Sequence, residues 1–344
     1  MPGVSGAYHR SVTRVAFLGP PGTFTEEALL SDAELARGDL VAIDSIPEVV
    51  AAVERGDADF GVVPVENSIE GSVNVTLDLL AFESDLLIQG EIVRPVSLSL
   101  LARPGTKLKD VRTVISFPTA TAQCRDWLNR RLPKAEVAAA NSTAGAAEQV
   151  ARSRAQGVAA IGTHLAAELY GLDALASDIE DHPDNATRFL VVGRGVPAPT
   201  AYDKTTIVCY QRRNQPGSLV SILQEFAARS INLTRLESRP TKEGLGSYCF
   251  VIDCEGHVTD ELVGDVLRNL AAKQGGVKFL GSYPAASTEA GKARRHTAGQ
   301  AWRDAVRWVE ELRAGVRVET ASADGRGSEV ATAPRAGSRR TPRT

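Results

Sequence analysis

The sequence predicts an α/β protein in which a two-lobed domain is followed by a smaller module of ferredoxin-like order. Three observations carry this. Short apolar strands alternate with helices from residue 14 to about residue 195, the rhythm of βαβ units and a mainly parallel sheet. There are too many such units for one small sheet, so two lobes are expected. After the Gly/Pro-rich stretch Gly193–Pro199 the order changes to βαββαβ within about 80 residues.

Residues 1–13 read as a loose lead-in and Arg14–Leu18 as the first strand. The turn Gly19-Pro20-Pro21-Gly22 precedes a helix from Phe24 to about Leu35, with Thr23 and Glu26 at capping-box spacing. Leu40–Ile43 is a strand, Ser45 and Glu48 cap a helix to about Arg55, and Asp59–Val63 is the next strand. Further strands are expected at Leu86–Val93, Val96–Ala102, Thr113–Ser116, Glu136–Ala140, Val158–Ile161 and Phe189–Val192. Helices are expected at Thr121–Arg131, Thr143–Ser153 and His164–Tyr170. The first lobe then spans about 14–95 and 182–195 and the second about 96–181, the chain crossing near Arg94-Pro95 and returning near Asp181–Asn185. A cleft between lobes is a natural ligand site.

In the module at 204–283, strands are expected at Thr205–Tyr210, Ile231–Arg239, Gly246–Asp253 and Val277–Tyr283. Helices are expected at Pro216–Arg229 and Thr259–Ala272, the first with Leu219, Ile222, Leu223 and Phe226 on one face. Residues 284–344 are a tail with one helix at about 298–313, presenting Trp302, Ala305, Val306, Val309 and Leu312; Glu319–Thr344 has little to bury and reads as disordered.

Bulk properties fit this plan. The 344 residues are 43% hydrophobic, enough for two domains. A formal net charge of −3 gives no field favouring nucleic acid or anionic membrane. No stretch reaches the ~18 apolar residues of a membrane helix, and the N-terminus has no signal-peptide core, so the cytoplasm is expected. Cys124, Cys209, Cys249 and Cys254 form no metal-ligand spacing and read as small buried apolar residues, with Cys209 and Cys249 facing each other across strands as the open alternative.

The polar residues gather at strand ends, where open α/β sheets place ligand-binding groups. Gly19–Thr23 opens a helix and offers amides to an anion, or is simply a tight turn. Glu66-Asn67-Ser68 follows a strand. Ser116 with Gln123, Asn141-Ser142-Thr143, and Asn185–Phe189 make further polar ends. His164 and His182 read as structural or solvated, and no metal-hydrolase or serine-hydrolase motif is present. A reaction needing a hydroxyl, amides and carboxylate-binding groups fits better.

Together the strings GPPGTFTEEAL, GVVPVENSIEGSV, SFPTATAQC, NATRF and INLTRLESRP resemble the prephenate dehydratase family over about residues 14–283. The resemblance implies a lyase that turns prephenate into phenylpyruvate, water and carbon dioxide without a cofactor or metal. It implies a catalytic domain like the type 2 periplasmic-binding-protein folds and a C-terminal ACT module. Thr187 inherits the role tied to hydroxide departure; Asn67, Ser116 and Gln123 match polar active-site positions, and Glu66 lies beside them. Thr23 is a candidate at the helix start. Arg188 would either hold a substrate carboxylate or brace the lobes. Phe117 and Thr119 stand where the family often has histidine and glutamine. In the ACT module, Gly217, Ser218, Leu219 and Val220 together with Glu237, Ser238, Arg239 and Pro240 match the motifs of a phenylalanine effector site, which implies a homodimer or homotetramer. Two other readings stay open: an arogenate dehydratase, and a non-catalytic amino-acid sensor.

Overall fold

The computed structural model describes residues 12–200, 202–212, 214–242, 244, 247–286, 304 and 306–314. The lead-in at 1–11, the Arg-rich stretch 319–344, and Trp302 and Ala305 lie outside the described residues. Of the expected C-terminal helix, Asp304 and residues 306–314 are helical; they belong to a separate compact unit, 299–344.

Lobe 1 comprises β1 (Arg14–Leu18), α1 (Phe24–Leu30), β2 (Asp39–Ile43), α2 (Ile46–Arg55), β3 (Phe60–Asn67), β4 (Gly71–Ser72), α3 (Asn74–Asp78) and β5 (Leu87–Pro95). Lobe 2 comprises β6 (Ser99–Ala102), β7 (Thr113–Ser116), α4 (Pro118–Gln123), α5 (Arg125–Arg131), β8 (Glu136–Ala139), α6 (Thr143–Arg152), β9 (Val158–Gly162), α7 (His164–Tyr170) and β10 (Asp173–Ala176). The chain then returns as β11 (Ala186–Gly193), which inserts between β3 and β5. The sheets are mixed rather than mainly parallel. β1 runs parallel to β2 and β3, but the returning β11 is antiparallel to both of its neighbours. In lobe 2, β7 is parallel to β8 and β9, whereas β6 is antiparallel to β9 and β10.

Local chemistry sets the boundaries. Ser45 caps α2, Ser142 caps α6 and Thr163 caps α7, each accepting a bond from a backbone N–H of the first turn. Gly56 and Gly171 close α2 and α7 in left-handed conformations that glycine adopts without a Cβ penalty. The expected helix Phe24–Leu35 ends at Leu30. The Ser31 hydroxyl turns back to the Ala28 carbonyl, and Asp32 accepts from the Glu34 and Leu35 amides to start a new turn. The expected helix Thr121–Arg131 starts earlier, at Pro118, and breaks at Cys124 into α4 and α5. The Thr23–Glu26 capping box does not form: Thr23 donates to the Leu18 carbonyl, and Glu26 accepts from the Gly22 amide at 2.5 Å.

The third sheet has the expected βαββαβ order: β12 (Asp203–Tyr210), α8 (Ser218–Ala227), β13 (Leu233–Pro240), β14 (Tyr248–Glu255), α9 (Glu261–Lys273) and β15 (Gly276–Pro284). All pairs are antiparallel, in the order β13-β14-β12-β15. One face buries Ile207, Cys209, Phe250 and Ile252 against Ile222 and Phe226 of α8 and Val266 and Leu270 of α9. The other face carries Val208, Cys249, Val251, Leu280 and Tyr283 into one core with Val63, Leu80, Ile88 and Leu190 of lobe 1. Cys209 and Cys249 therefore point to opposite faces and do not meet. β15 and β5 approach so closely that a Cβ on Gly281 would sit 2.6 Å from the Ile88 carbonyl oxygen. Lobe 1 and the third sheet are thus joined by continuous apolar packing, the strongest general source of cohesion.

Candidate active site

β3 and β11 pair antiparallel, with Thr187 opposite Asn67 and Arg188 opposite Glu66. Both strands reach further than the sequence suggested. Asn67 and Thr187 lie within them rather than in turns beyond their ends, because the two polar segments satisfy one another's backbone. Opposite residues in an antiparallel pair share a face, and successive residues alternate faces. Asn67 and Thr187 share one face; Glu66 and Arg188 share the other.

Asn67 Nδ2 donates to Thr187 Oγ1 at 2.9 Å. The orientation of this amide is set by chemistry: Asn67 Oδ1 accepts from the backbone amides of Ile69 and Glu70, both at 3.0 Å, so the nitrogen must face Thr187. Thr187 Oγ1 is therefore an acceptor toward Asn67, and its hydroxyl proton is directed to another partner. On β5, Arg94 is the register partner of Thr187 and is exposed.

The second lobe meets this pair through Gln123, by way of the buried Asn185 of the returning segment. Asn185 accepts from the Ser68 hydroxyl at 3.2 Å and donates to Gln123 Oε1 at 3.3 Å, while Gln123 Nε2 reaches Glu70 at 3.3 Å. Across from it, the buried Thr163 hydroxyl donates to the Gly22 carbonyl at 2.7 Å, and the Leu165 amide donates to Glu27 at 3.2 Å. Burial pushes the Glu27 carboxyl above its usual range, partly offset by that amide and by Arg94. Asn185 opens the polar strand end Asn185–Phe189 read from the sequence, whereas that reading does not include Thr163 and Glu27. A threonine directly before the helix His164–Tyr170 marks Thr163 as a cap but not its bond to Gly22, and nothing local marks Glu27.

Several sequence-picked residues have other duties. Ser116 is fully buried and donates to the Ile161 carbonyl at 2.7 Å. Thr23 faces its own strand, and the Glu26 carboxylate occupies the Gly22 amide that an anion would use. Arg188 is not in the cleft and does not brace lobe to lobe. Its side chain is 11% exposed and donates to Glu91 at 2.6 Å, to Asp253 at 2.6 Å and to the Tyr283 hydroxyl at 2.9 Å. Burial alone would lower its pKa, but Tyr283, Asp253 and Glu91 outweigh this and raise it. Glu66 lies on the same side, 3.8 Å from Arg188 and 3.7 Å from Arg235.

The ACT motifs are split by strand alternation. Gly217, Ser218, Leu219, Val220 and Ser238 line one cavity of about 250 Å³. Glu237 and Arg239 point the other way, toward lobe 1. Glu237 accepts from the Ser72 hydroxyl at 2.5 Å, and Arg239 donates to Asn74 at 2.8 Å and to Asp78. Pro240 is not among the cavity-lining residues. Among the described residues, no group of three or more His, Cys, Asp or Glu is arranged to hold a metal, and no helix is long and apolar enough to cross a membrane.

Comparison with known proteins agrees with this architecture. Residues 15–196 match the family model for prephenate dehydratase, and residues 205–272 match the ACT domain. A prephenate dehydratase of Mycolicibacterium vanbaalenii is 46% identical over 316 residues, covering 88% of this chain and 98% of the relative. The crystal structure of prephenate dehydratase in complex with L-Phe from Arthrobacter aurescens superposes with a TM-score of 0.78 at 39% identity, covering 88% of this chain and all of that one. The prephenate dehydratase of Staphylococcus aureus superposes with a TM-score of 0.68 at 30% identity, covering 79% of this chain and all of that one. The chain belongs to the prephenate dehydratase family.

Proposed function

We propose that this carbon–oxygen lyase uses the Thr187–Asn67 pair to convert prephenate to phenylpyruvate, water and carbon dioxide. The observation that supports the assignment is the oriented Asn67 amide at 2.9 Å from Thr187 Oγ1. In the reaction the bond to the ring carboxylate breaks, and its electron pair enters the ring as carbon dioxide leaves. Hydroxide departs from the far ring carbon and takes up a proton to become water. Aromaticity supplies the driving force, so the protein must chiefly place both groups and ease the departure of hydroxide. A threonine hydroxyl is a weak acid, but a hydrogen bond from it to the leaving oxygen stabilises the charge developing there. Donation from Asn67 into Thr187 Oγ1 makes that hydroxyl proton more acidic and aims it outward. Prephenate carries two carboxylates; Arg188 is already paired, and the exposed Arg94 beside Thr187 is the cation we assign to one of them.

The cavity at Gly217–Val220 and Ser238 is assigned to L-phenylalanine as effector, supported by the matching motifs and by the L-Phe complex of the Arthrobacter relative. Regulation requires different affinities for two states of the protein. We place the enzyme in the cytoplasm as a homodimer or homotetramer with no nucleic-acid or membrane partner. The deciding experiment follows phenylpyruvate formation from prephenate, with and without phenylalanine. The proposal expects turnover that changes with phenylalanine; turnover of arogenate in preference to prephenate would instead make the chain an arogenate dehydratase, and turnover of neither would leave a sensor.

A further inference from the structure

We infer that the third sheet positions the catalytic pair, with Glu237 and Asp253 as positioning residues that act through Ser72 and Arg188. The inference rests on the reading that Thr187 and Asn67 carry the reaction, and it makes the regulatory module a structural part of the active site.

Each of the two strands bearing the pair is gripped close to the reacting side chain. On β11, Arg188 follows Thr187 directly and is held from the third sheet by Asp253 at 2.6 Å and Tyr283 at 2.9 Å. Asp253 is itself fixed by the Thr206 hydroxyl at 2.9 Å, and Tyr283 is fully buried. On the β3–β4 hairpin, Gly71 pairs with Asn67 and Ser72 with Glu66. The Ser72 hydroxyl donates to Glu237 at 2.5 Å and accepts from Arg235 at 2.8 Å. Arg235 also donates to Glu237 at 2.5 Å, which fixes the carboxylate that holds Ser72.

A purely apolar seam would join lobe 1 to the third sheet without fixing register. Buried charges need good geometry to offset their desolvation, so this network permits few relative positions of the two bodies. The Asn67–Thr187 bond needs such accuracy, because hydrogen bonds weaken steeply with misalignment. The strand that supplies Glu237 also supplies Ser238 to the cavity, so a ligand there touches the same element on its other face.

The test compares Ser72→Ala with Ser72→Thr in the full chain; the first removes the hydroxyl and the second restores it. Ser72→Ala is expected to lower kcat for prephenate by about tenfold or more with little change in KM, and Ser72→Thr to recover most of it. Hydrogen exchange at the Ile69 and Glu70 amides, which Asn67 holds, is expected to accelerate in Ser72→Ala alone. Wild-type kcat together with wild-type exchange in Ser72→Ala would overturn the inference. Should the wild type fail to convert prephenate, the functional reading falls, and the exchange result alone judges the positioning claim. Asp253→Asn, tested in the same way, is expected to lower kcat by a similar factor through Arg188.

Discussion

The two faces of the β3–β11 pair differ in kind. On the cleft face the β3–β11 pair presents the neutral, half-open Asn67 and Thr187, with Gln123 and the buried Asn185 nearby and the exposed Arg94 of β5 alongside. On the opposite face, one residue along each strand, Arg188 and its partners Glu91 and Asp253 are charged and buried, with Glu66 at the edge of the group. The difference teaches a division of labour. On the proposed assignment, buried charges hold the strands, and the neutral Asn67–Thr187 pair, with the exposed Arg94 beside it, addresses the substrate. A weakly acidic hydroxyl can serve as the reacting group only if its position is exact to fractions of an ångström, and the charged face supplies that constraint.

The largest expected effect comes from the cleft face. Thr187→Ala should lower kcat by about 10²–10⁴-fold while the unfolding midpoint stays near that of the wild type. Circular-dichroism melting alongside the prephenate assay checks both halves. The opposite pattern is expected from Arg188→Leu. It leaves Glu91 and Asp253 without their buried partner and should destabilise the fold by about 3–5 kcal/mol. If Arg188→Leu left stability unchanged in denaturant titrations, the contrast between the faces would be lost.

Smaller effects sharpen the contrast. Arg94→Ala should raise KM for prephenate by roughly tenfold, the loss of one charge-assisted contact, with less effect on kcat. Gly217 has φ +86°, so Gly217→Val is strained by its backbone even though a Cβ there meets nothing within 4 Å. That variant should lose the phenylalanine response yet turn over prephenate, which calorimetry and the assay would report separately.

The smallest expected effect is at Glu27. Its folded-state pKa is raised by burial, so the stability it contributes is complete below the ordinary value of 4.5 and is lost as pH rises through the folded value. Wild type should therefore lose stability relative to Glu27→Gln between pH 4 and neutrality. Equal pH slopes for the two proteins in urea titrations would contradict this.

The order of elements was legible because apolar periodicity and turn chemistry are local. Gly56, Ser45, Ser142 and Thr163 act where their residue types imply. The two-lobed architecture and the βαββαβ module followed from that order. Strand ends were less legible. Asn67 and Thr187 read as polar residues outside the strands Asp59–Val63 and Phe189–Val192, because their strand character comes from pairing with each other across 120 positions. Arg188 illustrates the limit most clearly. Its neighbours in sequence allow either a substrate contact or a brace, and only alternation in the folded strand turns it toward Asp253 and Tyr283. Alternation likewise separates Ser238 from Glu237 and Arg239, which a motif presents as one unit. The Thr23–Glu26 spacing suggests a cap, but the turn gives both side chains other local partners, the Leu18 carbonyl and the Gly22 amide.

The central claim is that Thr187 and Asn67 work as one unit, the amide preparing the hydroxyl. A double-mutant cycle on kcat/KM for prephenate tests it most directly, using Thr187→Ala, Asn67→Ala and the pair together. The account predicts strong non-additivity: once Thr187 is gone, removing Asn67 should cost little more. Losses that simply add, each substitution costing the same with or without the other, would contradict it.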